Sequence, residues 1–106
     1  MNNKRRATIN NAIKELENAI ELFNFSVNVF NNSSMDDLVE VTEEEQEVIY
    51  NIPESMQDKA DSMQETLDEI VGFVEELQEK IEEILNTSSE IEEILDNLKE
   101  CTNRKQ

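Results

Sequence analysis

From Ile9 to Phe30 the apolar residues fall at alternating steps of four and three: Ile9, Ile13, Leu16, Ile20, Phe23, Val27 and Phe30. Such a seam is the signature of a helix that packs along one narrow face. A second seam, cleaner than the first, runs through Met56, Ala60, Met63, Leu67, Ile70, Val74, Leu77, Ile81 and Ile84. It continues in phase through Ser88, Ile91, Leu95 and Leu98. Phe23 to Val29 also alternates with period two and is rich in β-branched residues, which is a strand pattern. Helix is preferred there, because the seam passes through in phase and no partner strand exists elsewhere.

The interruptions define two arms of one all-α domain, 1–106. Arm one spans 5–51 and breaks near 31–34, at Asn31-Asn32-Ser33-Ser34. Ser33 or Ser34 can cap a following helix, with Asp36 and Asp37 in its first turn, where the helix dipole favours acids. In that helix Leu38, Val41, Val48 and Ile52 form the expected inward stripe, interrupted by Glu45. Arm two spans 53–101. Asn86-Thr87-Ser88-Ser89 is a weak point near 86–89 but keeps the seam's phase, so one long helix is expected there, with a separate C-terminal helix as the alternative. Pro53 is the only proline in the chain. Proline is excluded from helix interiors, fits a first turn, and drives the residue before it out of helical geometry. The chain therefore turns at Asn51–Pro53, and Pro53 starts the last helix.

The expected fold is an elongated antiparallel helical hairpin or bundle with heptad seams. Apolar residues beside the main stripe, among them Leu22, Phe25, Val29, Val39, Val71, Phe73, Leu85 and Ile94, widen the apolar face beyond what two strands need. A three-helix fold-back or a four-helix homodimer would cover it, and the dimer is favoured. Phe23, Phe25, Phe30 and Phe73 are the candidate oligomer contacts.

Catalytic chemistry finds little to work with. The chain has no histidine, which removes the commonest general base and transition-metal ligand. Cys101 is the only cysteine, so no intrachain disulfide or cysteine-rich metal knot can form. The acidic pairs flank a seam and read as a solvated face, whereas a glycosidase-type pair needs one carboxyl in an apolar pocket. A di-metal bundle site in its usual form needs histidine. Calcium loops and glycine-rich phosphate loops are absent. No enzyme activity, cofactor or metal is expected. No signal peptide and no membrane span is legible, and a cytoplasmic protein fits best.

Charge is the feature that points outward. Twenty-six acids oppose nine bases, a net of −17, and between Asp36 and Glu100 there are 23 acids against Lys59, Lys80 and Lys99. Such a surface repels nucleic acid and anionic membranes, and attracts a basic protein surface. The candidate partner-binding residues are Glu43, Glu44, Glu45, Glu75, Glu76, Glu82, Glu83, Glu92 and Glu93. Spaced carboxylates along a helical shaft could imitate a nucleic-acid duplex, which carries about one charge per 1.7 Å. The competing expectation is that the acids only solubilise a structural coiled coil. Lys4, Arg5, Arg6, Arg104 and Lys105 would form a basic cap where the two chain ends meet.

Asn51-Ile52-Pro53-Glu54-Ser55-Met56-Gln57, with Arg5 and Arg6 upstream, resembles a motif of the form N-[LMI]-P-E-[SN]-[LM]-Q. It occurs in small acidic helical proteins of phages and prophages of Gram-positive bacteria. There it joins a charged N-terminal helix to an acidic, repetitive C-terminal one; Asn31–Val41 departs from the pattern as an addition. The resemblance implies a helical accessory protein of a phage or mobile element and no reaction; within the bacterial host cell, the charge is what is expected to bring it to a host protein. Small acidic phage proteins often block the basic nucleic-acid clefts of host enzymes, and this chain is expected to do so.

Overall fold

A computed structural model describes residues 1–104. The fold is an all-α helical hairpin with no strand among the described residues. Helix α1 spans Asn3–Asn32, α2 spans Ser34–Tyr50, and α3 spans Gln57–Asn103, with a single 3-10 turn at Glu54–Met56 before α3. Two compact units are formed. The first joins Met1–Val27 to the chain from Glu82 onward; the second is Asn28–Ile81.

In the first unit α1 packs antiparallel to the end of α3. Asn2 caps α1, its Oδ1 accepting the Arg5 backbone N–H at 2.9 Å. Ile13, Ile20 and Leu95 are buried together, with Ile9 and Ile91 packed against them. The cross-helix bonds Asn10 to Thr102 and Asn24 to Ser88 show the antiparallel sense, since the numbers rise on one helix as they fall on the other. Arg6 Nη2 donates to the Arg104 carbonyl at 3.4 Å, which brings these two members of the expected basic cap together. Lys105 lies outside the described residues.

In the second unit α2 packs against the start of α3 through Ile49, Ala60 and Leu67, flanked by Ile52, Met63 and Val71. The connection is tight. The N–H groups of Asn51 and Ile52 donate to the carbonyls of Val48 and Ile49, both at 3.2 Å, and Asn51 Nδ2 reaches the Glu47 carbonyl at 3.0 Å. Pro53 (φ −59°, ψ 148°) is extended and precedes the 3-10 turn, whose Met56 N–H donates to the Pro53 carbonyl at 2.8 Å. The proline thus stands four residues ahead of α3, because a 3-10 turn intervenes where the start of an α-helix was expected.

Two irregularities read from the sequence resolve differently. The break near 31–34 contracts to one residue, Ser33, whose N–H donates to the Phe30 carbonyl and whose own carbonyl accepts from Asp37. Ser33 occupies the cap position of α2 without a side-chain capping bond. The weak point at 86–89 is continuous helix within α3. Ser88 is buried there and hydrogen-bonded to α1, which explains how a serine can hold a core position. The strand alternative at 23–29 is helix as well.

The stripe expected on α2 is displaced. Leu38, Val41 and Val48 are exposed, while Met35 and Ile49 are buried and Val39, Thr42 and Gln46 are half-buried. Ile52 alone of the four packs on the core. Thr42 and Gln46 carry the inward face with polar side chains, so a search for apolar residues selects the neighbouring stripe instead.

Candidate interaction surfaces

The side chains that bond across the helices are in large part polar, and in the first unit their α1 members lie on one flank of that helix. In the first unit Thr102 Oγ1 donates to Asn10 Oδ1 at 2.9 Å, Lys99 Nζ to Glu17 Oε2 at 2.6 Å, and Ser88 Oγ to Asn24 Oδ1 at 2.9 Å. Asn10, Glu17 and Asn24 are seven residues apart, so they follow one line along α1. Glu17, hydrogen-bonded to Lys99, holds its ammonium pKa above the ordinary lysine value. In the second unit the Gln46 and Gln64 amides pair reciprocally, at 2.7 and 2.9 Å. The sequence offered one sign of these pairs: Asn10, Glu17 and Asn24 each follow a seam residue, Ile9, Leu16 and Phe23.

On the opposite flank of the first unit the apolar residues remain half open. Leu16 and Phe23 are each 43% exposed, Ile84 44% and Leu98 41%, with half-buried Ile91 among them. Phe23, Ile84 and Ile91 line a groove of about 550 Å³ whose rim carries Glu83 and Thr87. A second groove, of about 330 Å³, lies in the second unit between Val41, Thr42 and Glu45 of α2 and Met63, Thr66 and Ile70 of α3.

The candidate phenylalanines have different settings. Phe23 belongs to the half-open row, and Phe30 is half-buried in the second unit. Phe25 and Phe73 are far more open, at 69% and 68%. Phe73 borders a shallow depression with Glu76, Leu77, Glu79 and Lys80.

The acids divide unequally between the units. Residues 1–27 and 82–106 carry ten acids and seven bases, a net of −3; residues 28–81 carry sixteen acids against Lys59 and Lys80, a net of −14. Glu43, Glu44, Glu45, Glu75 and Glu76 belong to the strongly acidic second unit, whereas Glu82, Glu83, Glu92 and Glu93 belong to the first. All nine are solvent-exposed except Glu45, which is half-buried at its groove. The described residues contain no group of three or more histidine, cysteine or acidic side chains placed to hold a metal ion. Cys101 is exposed, and among the described residues no helix is long and apolar enough to cross a membrane.

No protein-family model, curated protein or solved structure matches the chain.

Proposed function

We propose that this is a non-enzymatic accessory protein of phage type that acts as a homodimer in the host cytoplasm and binds a basic surface of a host protein, one that otherwise holds nucleic acid. The observation that carries the reading is the concentration of charge in the second unit: fifteen of its sixteen acids are solvent-exposed, against two lysines. Acids spread for solubility alone have no reason to gather in one of two units of similar length. The density also approaches that of a duplex. The α3 stretch 57–81 is about 37 Å long at the helical rise, and a duplex of that length carries about 22 charges. The unit's net of −14 is therefore about two-thirds of that value.

A charged partner surface would be drawn in by long-range attraction and held by contacts that weaken with salt. The test is capture from bacterial lysate by the tagged full chain, with elution by a salt gradient and separately by competing duplex DNA. A nucleic-acid-binding protein released by both supports the reading. Reversing Glu43, Glu44, Glu75 and Glu76 to lysine should abolish its capture, while reversing Glu82, Glu83, Glu92 and Glu93 should leave most of it. Equal loss from both variants, or capture indifferent to either, would count against the second unit as the binding surface.

A further inference from the structure

We infer that the second copy of the chain docks on the first unit, over the apolar row formed by Leu16 and Phe23 of α1 and Ile84, Ile91 and Leu98 of α3. This rests on the homodimer proposed above and gives it a surface. The two flanks of the α1–α3 pair differ in kind. On α1 one flank carries Asn10, Glu17 and Asn24, bonded to Thr102, Lys99 and Ser88 respectively, so its polar groups have partners already. The other leaves four large apolar side chains at 41–44% exposure in the same unit, beside the groove of about 550 Å³. Half exposure on every member of a row is what two packed helices leave when a third and fourth are missing.

Charge selects the occupant. A basic partner is attracted chiefly to the second unit, with its net of −14, whereas the first unit carries only −3. The stretches that bear the row, 14–23 and 82–99, carry nine acids against Lys14 and Lys99, a net of −7, so two copies that meet there set −7 against −7, whereas pairing through the second units would set −14 against −14. The area also suffices. Residues 3–27 give a helix about 37 Å long, and two helices side by side are about 20 Å wide, so each copy offers about 750 Å². Specific interfaces of standard size bury about 600–1,000 Å² of each partner, a range that includes this value.

Helix geometry supplies an internal control. Phe25 lies two residues beyond Phe23, about 200° round α1 at 3.6 residues per turn, and so points away from the row. The experiment is the solution mass of the full chain by light scattering or sedimentation equilibrium at micromolar concentration. The wild type is expected at twice 12.3 kDa. Phe23→Glu and Ile84→Glu, each with helical content checked by circular dichroism, are expected at the single-chain mass, and Phe25→Glu at the doubled mass. If an acidic substitution unfolds the chain, Thr87→Arg at the exposed groove rim replaces it and should also halve the mass. A wild type at the single-chain mass overturns the inference, as does dissociation by Phe25→Glu to the same extent as by Phe23→Glu. Lysine reversal of Glu43, Glu44, Glu75 and Glu76 should leave the doubled mass intact, so loss of dimerisation and loss of partner capture are read separately.

Discussion

Ser88 Oγ donates a 2.9 Å hydrogen bond to Asn24 Oδ1 across the α1–α3 contact, and the serine is 94% removed from solvent, with 6% of its surface exposed. The bond satisfies the Ser88 hydroxyl within a continuous helix whose local sequence, Asn-Thr-Ser-Ser, favours a turn. Removing one partner leaves the other's polar group poorly solvated, and a half-satisfied pair is worse than none. Ser88→Ala is expected to cost about 1–2 kcal/mol in urea denaturation, while the double variant Ser88→Ala with Asn24→Leu should recover most of that loss. A double variant less stable than either single one would show that the pair is not the source of the stability.

The Lys99–Glu17 pair predicts a pH dependence. Glu17 raises the folded-state pKa of Lys99 above the unfolded value, so the pair's contribution is complete below the unfolded pKa and is lost as pH rises through the folded one. Both side chains are about 40% exposed, and salt will screen the pair. The stability difference between wild type and Lys99→Gln should hold steady from neutral pH to about pH 10, then shrink at higher pH. Thermal melts of the two proteins from pH 7 upward measure it. A difference that persists undiminished above the lysine range would remove the ammonium as its cause.

Gln46 and Gln64 each donate to and accept from the other, and Gln64 Nε2 also donates to Asp68 Oδ1 at 2.9 Å, so Gln46 depends on the pair more than Gln64 does. In a double-mutant cycle to alanine the coupling energy should be about 1 kcal/mol, since the second substitution removes a partner already orphaned. Strict additivity would mean that solvent satisfies each amide equally well alone.

Leu67 and Leu22 have the same side chain in opposite settings, buried in the second unit and exposed on α1 respectively. Leu67→Ala should cost about 2–5 kcal/mol by lost burial and the cavity left behind. Leu22→Ala should stay within about 0.5 kcal/mol of wild type. Guanidinium titrations of both would show it, and a comparable loss at Leu22 would place that residue in an intermolecular contact.

Salt should raise the melting temperature from low ionic strength to about 0.15 M, where the Debye length is about 8 Å. Screening relieves the repulsion among the sixteen acids of residues 28–81 and weakens few attractive pairs there. The same salt should weaken capture of a basic partner. A melting temperature that falls with salt would mean that attraction dominates the native charge pattern.

The amino-acid sequence by itself determined the helices and where the chain breaks between them, but not every helix end, since α3 starts four residues after Pro53. Apolar spacing, the polar run before Ser34 and the position of Pro53 are local signals, and local signals govern where a backbone can be helical. The unbroken phase through Ser88 was likewise enough to carry α3 past residues 86–89. What tertiary structure alone decided is which flank of each helix faces its neighbour. On α1 the residues Asn10, Glu17 and Asn24 and the residues Ile9, Leu16 and Phe23 lie on either side of the buried line Ile13–Ile20, so both belong to one helical face. Apolar periodicity favours the second set. The polar set gains hydrogen bonds to α3 because Thr102, Lys99 and Ser88, more than sixty residues away along the chain, arrive there with matching donors, although Ile9 is more buried than Asn10. On α2 the same physics brings Thr42 and Gln46 inward and leaves Val41 and Val48 outside. The charge divides differently: the net of −14 lies in one contiguous stretch, 28–81, and is fixed by the sequence, whereas only tertiary packing could join 1–27 to the distant segment from Glu82 onward.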